Sequence, residues 1–222
     1  SWLVVHPSGQ TLLFDTGLHT DLVDGVAARY PLMARQFESR FDNNDVVSAR
    51  LENVDVDPSS VDKIVFSHLH FDHCGGTALV PNAQIIVQRS EWQSGHHSKL
   101  IEYEVYKPDD FDLGHDVLQI EGEHDVFGDG SVLCLPTPGH TAGHQSLRVN
   151  LTSGPVILTG DCVYWEEVLE KMLLPPFGFD HEMQLSSMGY LKALRDEQGC
   201  RLLFGHDEAQ WADLDRSSKG LT

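Results

Sequence analysis

The sequence predicts an α/β (α+β) protein whose functional site lies at the ends of its strands. Short apolar runs typical of buried strands alternate with segments of helical periodicity. Four of these strands run directly into a loop that carries a potential metal ligand, and these loops hold Asp15, the His68–His73 segment, Asp161 and His206. Strand ends that converge on one rim build a site there. At 222 residues the chain is long enough for one domain, which we expect to span residues 1–222.

The first fifty residues combine a hairpin with a helical insertion. Two apolar runs around a turn at Pro7-Ser8-Gly9 predict a β-hairpin, which ends in the polar loop Asp15-Thr16-Gly17. Residues 20–50 have helix-like spacing interrupted by Pro31, and we expect a helical insertion or cap. Because the chain enters a strand at Ser1 without a methionine, we expect its natural N-terminus to be incomplete here.

The later elements follow from the same patterns. Pro58 opens a short helical turn, and Gly128-Asp129-Gly130 predicts a hairpin turn. The segment HEMQLSSMGYLKALRDEQGC predicts an amphipathic helix with apolar residues at Met183, Met188, Leu191 and Leu194. Strands are predicted within DKIVFS, AQIIVQRSEW, LQIEGEHDVFGDGSVLCLPTPGHTAGHQSLRV, GPVILTGDCVYW and RLLFGHD.

The net charge and the cysteine content limit the kinds of binding partner and of cellular environment that we expect for the protein. A formal net charge of −19 repels phosphate backbones and anionic lipid heads, which excludes nucleic acid and membrane surfaces as expected partners. The four cysteines lack any Cys-x-x-Cys spacing, so we expect reduced thiols in a cytoplasmic protein. Two of them, Cys74 and Cys162, each follow a candidate ligand, and we expect them to pack behind the site.

The segment FSHLHFDHCGG concentrates four metal-ligating side chains in six positions. His68 and His70 are two residues apart in a loop, so both imidazoles can turn toward one ion. Asp72 and His73 are neighbours, and crowding keeps all four groups from reaching the same tetrahedral ion. The spacing therefore predicts two ions, each completed by residues from elsewhere in the chain. Both would keep open positions for water, as catalytic sites do.

The distant ligand candidates are His140, Asp161 and His206, each of which follows a glycine. A carboxylate has two oxygens, so Asp161 can bridge both ions. Asp15 is expected to support the ligands rather than bind metal. His144 is expected to be a structural hydrogen-bonding residue.

Here the sequence resembles the metallo-β-lactamase superfamily. SHLHFDHCGG carries its His-x-His-x-Asp-His signature, and DTG, TPGHTAGH, TGD and FGHD occur in the order and spacing of that superfamily. The resemblance implies an αββα sandwich of two mixed β-sheets flanked by helices, with a dinuclear site on one edge. It also implies a ligand set: His68, His70 and His140 for the first ion, Asp72, His73 and His206 for the second, and Asp161 bridging.

Within the superfamily the chain looks like the N-acyl-homoserine lactonases, the quorum-quenching branch. The matching features are GDCVYW, PTPGHTAGHQSLRV, LLFGHDEAQW and the helical insertion after DTGLH. In that branch the tyrosine three residues after the bridging aspartate, here Tyr164, points at the substrate. The resemblance thus implies a metal-dependent hydrolase that opens the lactone ring through a metal-bridging hydroxide.

Roles for individual residues follow from that mechanism. Tyr164 would donate a hydrogen bond to the developing oxyanion, and Asp72 would pass a proton to the leaving alkoxide. Met33 and Phe37, in the 20–50 insertion, would wall an acyl-chain groove. The metals are expected to be two Zn²⁺, although iron, manganese or cobalt suits the same nitrogen and oxygen donors. The expected partner is a small neutral amphiphilic lactone, and a homodimer stays open.

Other functions use the same ligands. A broader lactonase, an arylesterase or a phosphotriesterase would differ only outside the metal shell. A glyoxalase II-like thioesterase is a further alternative, although such enzymes carry a C-terminal helical domain with basic residues for glutathione. A protein that binds metal without catalysis belongs to a different class, and substitution of His70 by alanine would leave its activity unchanged.

Overall fold

A computed structural model of the protein describes residues 1–38, 40–103, 105–214 and 220–222. The chain divides into two compact units. The first comprises Ser1–Val87 and Trp92–Gln119, and the second comprises Gln88–Glu91 and Ile120–Thr222.

The described residues form ten strands, β1 (Trp2–Val5), β2 (Thr11–Phe14), β3 (Lys63–Val65), β4 (Gln84–Gln88), β5 (Val117–Ile120), β6 (His124–Asp125), β7 (Val132–Pro136), β8 (Gln145–Leu151), β9 (Gly154–Leu158) and β10 (Arg201–Leu203). The α-helices in the described part of the chain are α1 (Val47–Glu52), α2 (Phe71–Cys74), α3 (Arg89–Gly95), α4 (Ser98–Glu102), α5 (Glu166–Lys171), α6 (His181–Gln198) and α7 (Glu208–Asp213). Short 3₁₀ helices occupy Thr20–Asp24, Val26–Ala28, Met33–Arg35, Pro58–Ser60, Thr77–Leu79, Pro108–Asp110 and Gly160–Cys162.

The sheet of the first unit has the order β1-β2-β3-β4-β5. The predicted hairpin is confirmed, because β1 pairs antiparallel with β2, whereas β2, β3 and β4 run parallel to one another. Parallel strands point their carboxyl ends to the same edge of a sheet, so the loops after β2 and β3 emerge side by side. Fully buried side chains such as Ile64, Phe66 and Ile85 form the core beneath that edge.

The sheet of the second unit has the order β10-β9-β8-β7-β6. β9 and β10 are parallel, and the other neighbours are antiparallel. The predicted turn at residues 128–130 joins β6 to β7, and the Asp125 carboxylate accepts hydrogen bonds from the backbone N–H groups of Gly128 and Gly130. Because β9 and β10 are parallel, the loops that follow them leave the same edge.

The long helix of the second unit is also confirmed. The Asp180 side chain caps its N-terminus by accepting from the Met183 N–H, and Gly199 ends it in the left-handed conformation. Met188, Leu191 and Leu194 are buried as predicted. Met183 is 39% exposed and lies off the buried face.

One predicted element differs from the structure, and a second is made of shorter helices. The strand expected over AQIIVQRSEW ends at Gln88, and α3 begins at Arg89, because the apolar run stops at Val87 and a polar stretch follows. The predicted helical insertion contains the 3₁₀ helices Thr20–Asp24, Val26–Ala28 and Met33–Arg35, and α1 begins at Val47. Gly25, with a φ of 98°, separates the first two turns, and Pro31 precedes the third without a backbone N–H to donate.

All four cysteines are free and buried. Burial raises the pKa of the Cys134 thiol to about 12. None of the helices in the described residues combines the length and hydrophobicity needed to cross a bilayer.

Candidate metal and catalytic site

The first unit presents its four ligand candidates on one short stretch that follows β3. His68 lies in the loop, and α2 begins directly after His70, so Asp72 and His73 stand on a helical turn. His68 Nε2 lies 3.0 Å from His70 Nδ1, and His73 Nε2 lies 3.7 Å from Asp72 Oδ2. The ring centroids of His68 and His73 are 4.0 Å apart. The structure thus brings these four predicted ligands together as two adjoining pairs.

Asp15 orients this cluster from the end of β2. Its Oδ1 accepts the Ser67 backbone N–H at 2.7 Å, and its Oδ2 accepts the Ser67 hydroxyl at 2.8 Å. The same Oδ2 lies 2.8 Å from His73 Nδ1. A carboxylate on Nδ1 fixes the tautomer of the ring and leaves Nε2 as the ligand atom. Asp15 therefore supports the cluster as expected, and its φ of 62° shows a strained backbone at this point.

Gly75 and Gly76, which end the histidine motif, are required because the backbone of the loop after β2 lies very close to them. The Thr16 and Gly17 N–H groups donate to the His73 carbonyl at 2.7 and 3.2 Å. A Cβ at Gly76 would stand 2.3 Å from the Thr16 carbonyl oxygen, and one at Gly75 would stand 2.4 Å from the His19 nitrogen. Only glycine lets the loop after β2 pack directly onto α2.

The second unit brings together its ligand candidates from three separate loops. His140 follows β7, Asp161 follows β9 and His206 follows β10. The two Asp161 oxygens face different imidazoles: Oδ2 lies 3.5 Å from His140 Nε2, and Oδ1 lies 3.1 Å from His206 Nε2. His140 and Asp161 are buried, whereas the His206 side chain is 41% exposed. A carboxylate that addresses two imidazoles with different oxygens has the geometry of a bridging ligand.

His144 positions Asp161, as the sequence predicts for a hydrogen-bonding histidine. Its Nδ1 donates to the Thr137 carbonyl at 3.0 Å, which leaves Nε2 to accept the Asp161 backbone N–H at 3.0 Å. His144 is fully buried, so its ring holds the loop after β9 against the loop after β7.

Tyr164 lies beside two of the same ligand candidates. Its hydroxyl lies 3.3 Å from His140 Nδ1, and its ring centroid lies 5.4 Å from that of His206. The Tyr164 carbonyl also accepts the His206 backbone N–H at 3.1 Å. Tyr164 is half-buried, which leaves part of the side chain open to solvent or a ligand.

The two residues predicted to wall a groove lie in the first unit. Met33 packs against a small buried cluster formed by Leu22, Val26 and Tyr30. Phe37 is 49% exposed, and its ring stands edge-on to Phe71 at 6.0 Å. Because Phe71 is the first residue of α2, Phe37 lies one side chain away from the helical turn that carries Asp72.

Sequence reasoning missed two supporting residues. Ser67 links Asp15 to the histidine loop, with its hydroxyl 2.9 Å from His68 Nδ1. Glu91, fully buried, accepts the Gly143 backbone N–H at 3.0 Å and braces the loop between His140 and His144. The position of Ser67 next to His68 is a signal in the sequence, whereas Glu91 lies far from His140 and His144 in the chain and gives no local signal.

Comparison with known proteins agrees with this chemistry. The family description "Metallo-beta-lactamase superfamily" matches residues 1–206. An N-acyl homoserine lactonase from a Bacillus species is 36% identical over 90% of this chain and 77% of its own length. The N-acyl homoserine lactonase AttM of Rhizobium radiobacter is 30% identical over 97% of this chain and 84% of its own.

Solved structures give the same result. A mutant of AiiA from B. thuringiensis, with N-decanoyl-L-homoserine bound at its active site, superposes with a TM-score of 0.85 at 32% identity and covers 96% of this chain and 82% of its own. An N-acyl homoserine lactone hydrolase with N-hexanoyl-L-homoserine bound at its catalytic metal centre matches equally well, with the same TM-score, identity and coverage. These likenesses confirm the predicted fold, two mixed sheets with helices. The chain belongs to the metallo-beta-lactamase superfamily, and its similarity to N-acyl homoserine lactonases confirms the resemblance that its motifs indicated.

Proposed function

We propose that this protein is a metal-dependent hydrolase that opens the lactone ring of N-acyl-homoserine lactones. The observation that carries the proposal is the cluster of the second unit. Asp161 faces two imidazoles with its two oxygens, and the Tyr164 hydroxyl stands 3.3 Å from one of those imidazoles. Relatives at 30% to 36% identity are N-acyl homoserine lactonases.

The donors suit two divalent transition metal ions. All of them are imidazole nitrogens or carboxylate oxygens, a set that fits zinc and equally iron, manganese or cobalt. By the family pattern one ion belongs to His68, His70 and His140, the other to Asp72, His73 and His206, and Asp161 to both. When bound, such ions lower the pKa of a coordinated water and polarise a carbonyl oxygen.

The side chains of the protein then act on the two ends of the reaction. Hydrolysis adds the oxygen of water to the lactone carbonyl carbon, breaks the ring C–O bond and leaves an alkoxide that must gain a proton. The Tyr164 hydroxyl donates a hydrogen bond to the carbonyl oxygen as negative charge develops there. Asp72, whose side chain is 32% exposed, takes the proton that the attacking water loses and passes it to the alkoxide. The product is an N-acyl homoserine with a free carboxylate.

Substrate binding is assigned to the apolar residues near α2. Phe37 is exposed beside Phe71 and can contact an acyl chain, and Met33 backs that position from the buried cluster. The lactone is neutral, so the net charge of −19 does not oppose its entry. The carboxylate product is anionic, so the same charge favours its release.

A substrate panel tests this proposal. Purified protein is assayed with N-hexanoyl- and N-decanoyl-L-homoserine lactone, a p-nitrophenyl ester, paraoxon, S-lactoylglutathione and a β-lactam, and proton release is followed at constant pH. We expect the lactones to have the highest kcat/KM. Preference for the aryl ester or paraoxon would replace the proposal by the broader esterase or phosphotriesterase function. Preference for S-lactoylglutathione would indicate a thioesterase.

A further inference from the structure

A buried ion pair in the first unit has no part in the chemistry described so far. Asp110, at the end of the 3₁₀ helix Pro108–Asp110, has a side chain with no exposed surface. The Arg29 guanidinium donates to Asp110 Oδ1 through both Nε and one terminal nitrogen, and Nε lies at 2.8 Å. The Tyr30 hydroxyl donates to Asp110 Oδ2. We call these three residues the Asp110 anchor.

The Asp110 anchor ties two distant segments together. Arg29 and Tyr30 are about eighty positions from Asp110, and Arg29 also reaches the Asp109 carbonyl at 3.3 Å and Asp21 Oδ2 at 3.2 Å. Lys107 Nζ stands 5.6 Å from the centre of the Tyr30 ring. Burial raises the pKa of the Tyr30 hydroxyl, as does the charge of Asp110, so the hydroxyl stays protonated and donates.

The Tyr30 ring also packs against α2, the helical turn that carries Asp72 and His73. Its ring centroid lies 5.0 Å from that of Phe71, and Phe37 packs edge-on against the same Phe71 ring. Met33 packs on the cluster that contains Tyr30. One buried carboxylate therefore determines where Tyr30 lies, and Tyr30 in turn supports the side chains assigned to the acyl chain.

We propose that Asp110 is a positioning residue for acyl-chain selection, because it holds residues 26–37 at a set distance from Phe71 and α2. This inference rests on the proposed lactonase function. A long acyl chain needs the apolar side chains of residues 26–37 in place, whereas a short chain reaches few of them. Loss of the Asp110 anchor thus weakens binding of long-chain lactones more than of short-chain lactones and leaves the bond-breaking step unchanged.

The chemistry of the anchor favours positioning over simple stabilisation. A buried ion pair often contributes no more to stability than well-packed apolar side chains of similar volume. The ion pair does fix the relative orientation of the two segments, because a planar guanidinium and a carboxylate pair only within a narrow range of angles. The segment it holds consists of short 3₁₀ turns, which have little internal rigidity of their own.

The test compares two variants of the anchor with a matched control. Tyr30→Phe keeps the ring on Phe71 and removes only the hydroxyl, and Asp110→Asn removes the charge. The control, Arg50→Gln, breaks an exposed ion pair with Asp45 that is 2.6 Å long. For each protein, kcat and KM are measured with N-hexanoyl- and N-decanoyl-L-homoserine lactone, and amide hydrogen exchange is followed over residues 26–37.

We expect both anchor variants to raise KM for the decanoyl lactone about tenfold, the size of effect that a few displaced apolar contacts produce. We expect less than a twofold change for the hexanoyl lactone, little change in kcat, and faster exchange over residues 26–37. The control should match the unmodified protein. Equal changes for both lactones, or unchanged exchange, would overturn the inference while the lactonase proposal stands. If the unmodified protein opens neither lactone, the proposed function fails first, and acyl-chain selection fails with it.

Discussion

The two clusters of ligand candidates are built in opposite ways. In the first unit four donors come from one stretch of six residues after β3. In the second unit three donors come from loops that follow three different strands, β7, β9 and β10. The first cluster depends on local geometry, and the second depends on the sheet. The same kind of chemistry can therefore be encoded locally or by topology.

The residues that hold the ligand candidates in place, Asp15 and His144, also differ between the two clusters. In the first unit the Asp15 carboxylate contacts the ring of a ligand candidate directly, 2.8 Å from His73 Nδ1. In the second unit the His144 ring accepts the backbone N–H of the ligand candidate Asp161 at 3.0 Å. The first support orients a side chain, and the second fixes the path of a loop.

Removal of the carboxylate shared by two imidazoles should have the largest effect. We expect Asp161→Ala to lose metal and to reduce lactone turnover by about 10³-fold, equivalent to several kcal/mol of transition-state stabilisation. Asp207→Asn, next to His206 in sequence, is the matched control and should keep both metal and activity. Metal analysis by mass spectrometry with kcat/KM measures both. An Asp161→Ala protein with full metal content would contradict the role assigned to this cluster.

Loss of the Tyr164 hydroxyl should have the second-largest effect on turnover. Tyr164→Phe removes the expected donor to the oxyanion, and we expect kcat to fall about 10²-fold with the metal content unchanged. Trp165→Phe changes the neighbouring ring, which is 44% exposed, and serves as the control. A fall in metal content in Tyr164→Phe would show that the hydroxyl supports His140 rather than the reaction.

Changes in the two supports compare the clusters directly. Asn at position 15 still tolerates the left-handed backbone of that residue but carries no charge, so Asp15→Asn should weaken metal binding about 10- to 100-fold. His144→Gln should lower turnover through displacement of Asp161, with a smaller effect on metal affinity. Competition with a chelator gives the affinities. The reverse order of effects would show that the path of the loop held by His144, rather than the carboxylate of Asp15, limits metal binding.

Glycine substitutions should give the smallest effect on chemistry and test packing alone. A Cβ at Gly76 would stand 2.3 Å from the Thr16 oxygen, and one at Gly143 would stand 2.2 Å from the Glu91 nitrogen. We expect Gly76→Ala and Gly143→Ala each to cost about 1–3 kcal/mol of unfolding free energy. Gly189→Ala, in α6 with nothing within 4 Å of the added Cβ, should stabilise by up to about 1 kcal/mol. Denaturant unfolding measures all three, and equal stability of the three variants would contradict the packing described.

The parts of the molecule that sequence predicts well are those with a local cause. The hairpin at residues 2–14 follows from two apolar runs and a turn, and α6 follows from its period and its caps. The histidine stretch at residues 68–73 can be predicted as a metal site because its ligand candidates lie close together in the chain. The position of a residue just after an apolar strand predicts the three distant ligand candidates, His140, Asp161 and His206. The prediction works because the parallel strands β9 and β10 end at one edge of the sheet.

The parts that sequence does not predict have causes distant in the chain. The Glu91 bond to Gly143 joins residues 52 positions apart, and the Asp110 anchor spans about eighty. In the 20–50 segment the helical spacing of the apolar residues does not specify the type of helix, whereas Gly25 and Pro31 divide it into 3₁₀ turns. Phe37 and Met33 remain predictions as groove residues, because their assignment depends on a substrate.

Metal reconstitution tests most directly whether both clusters serve one lactonase reaction. The protein is stripped with a chelator, zinc is added back in measured equivalents, and the initial rate of N-hexanoyl-L-homoserine lactone opening is recorded at each step. We predict no turnover without metal and a rate that rises until two equivalents are bound. Turnover by fully stripped protein, or saturation at a single equivalent, would contradict the dinuclear lactonase.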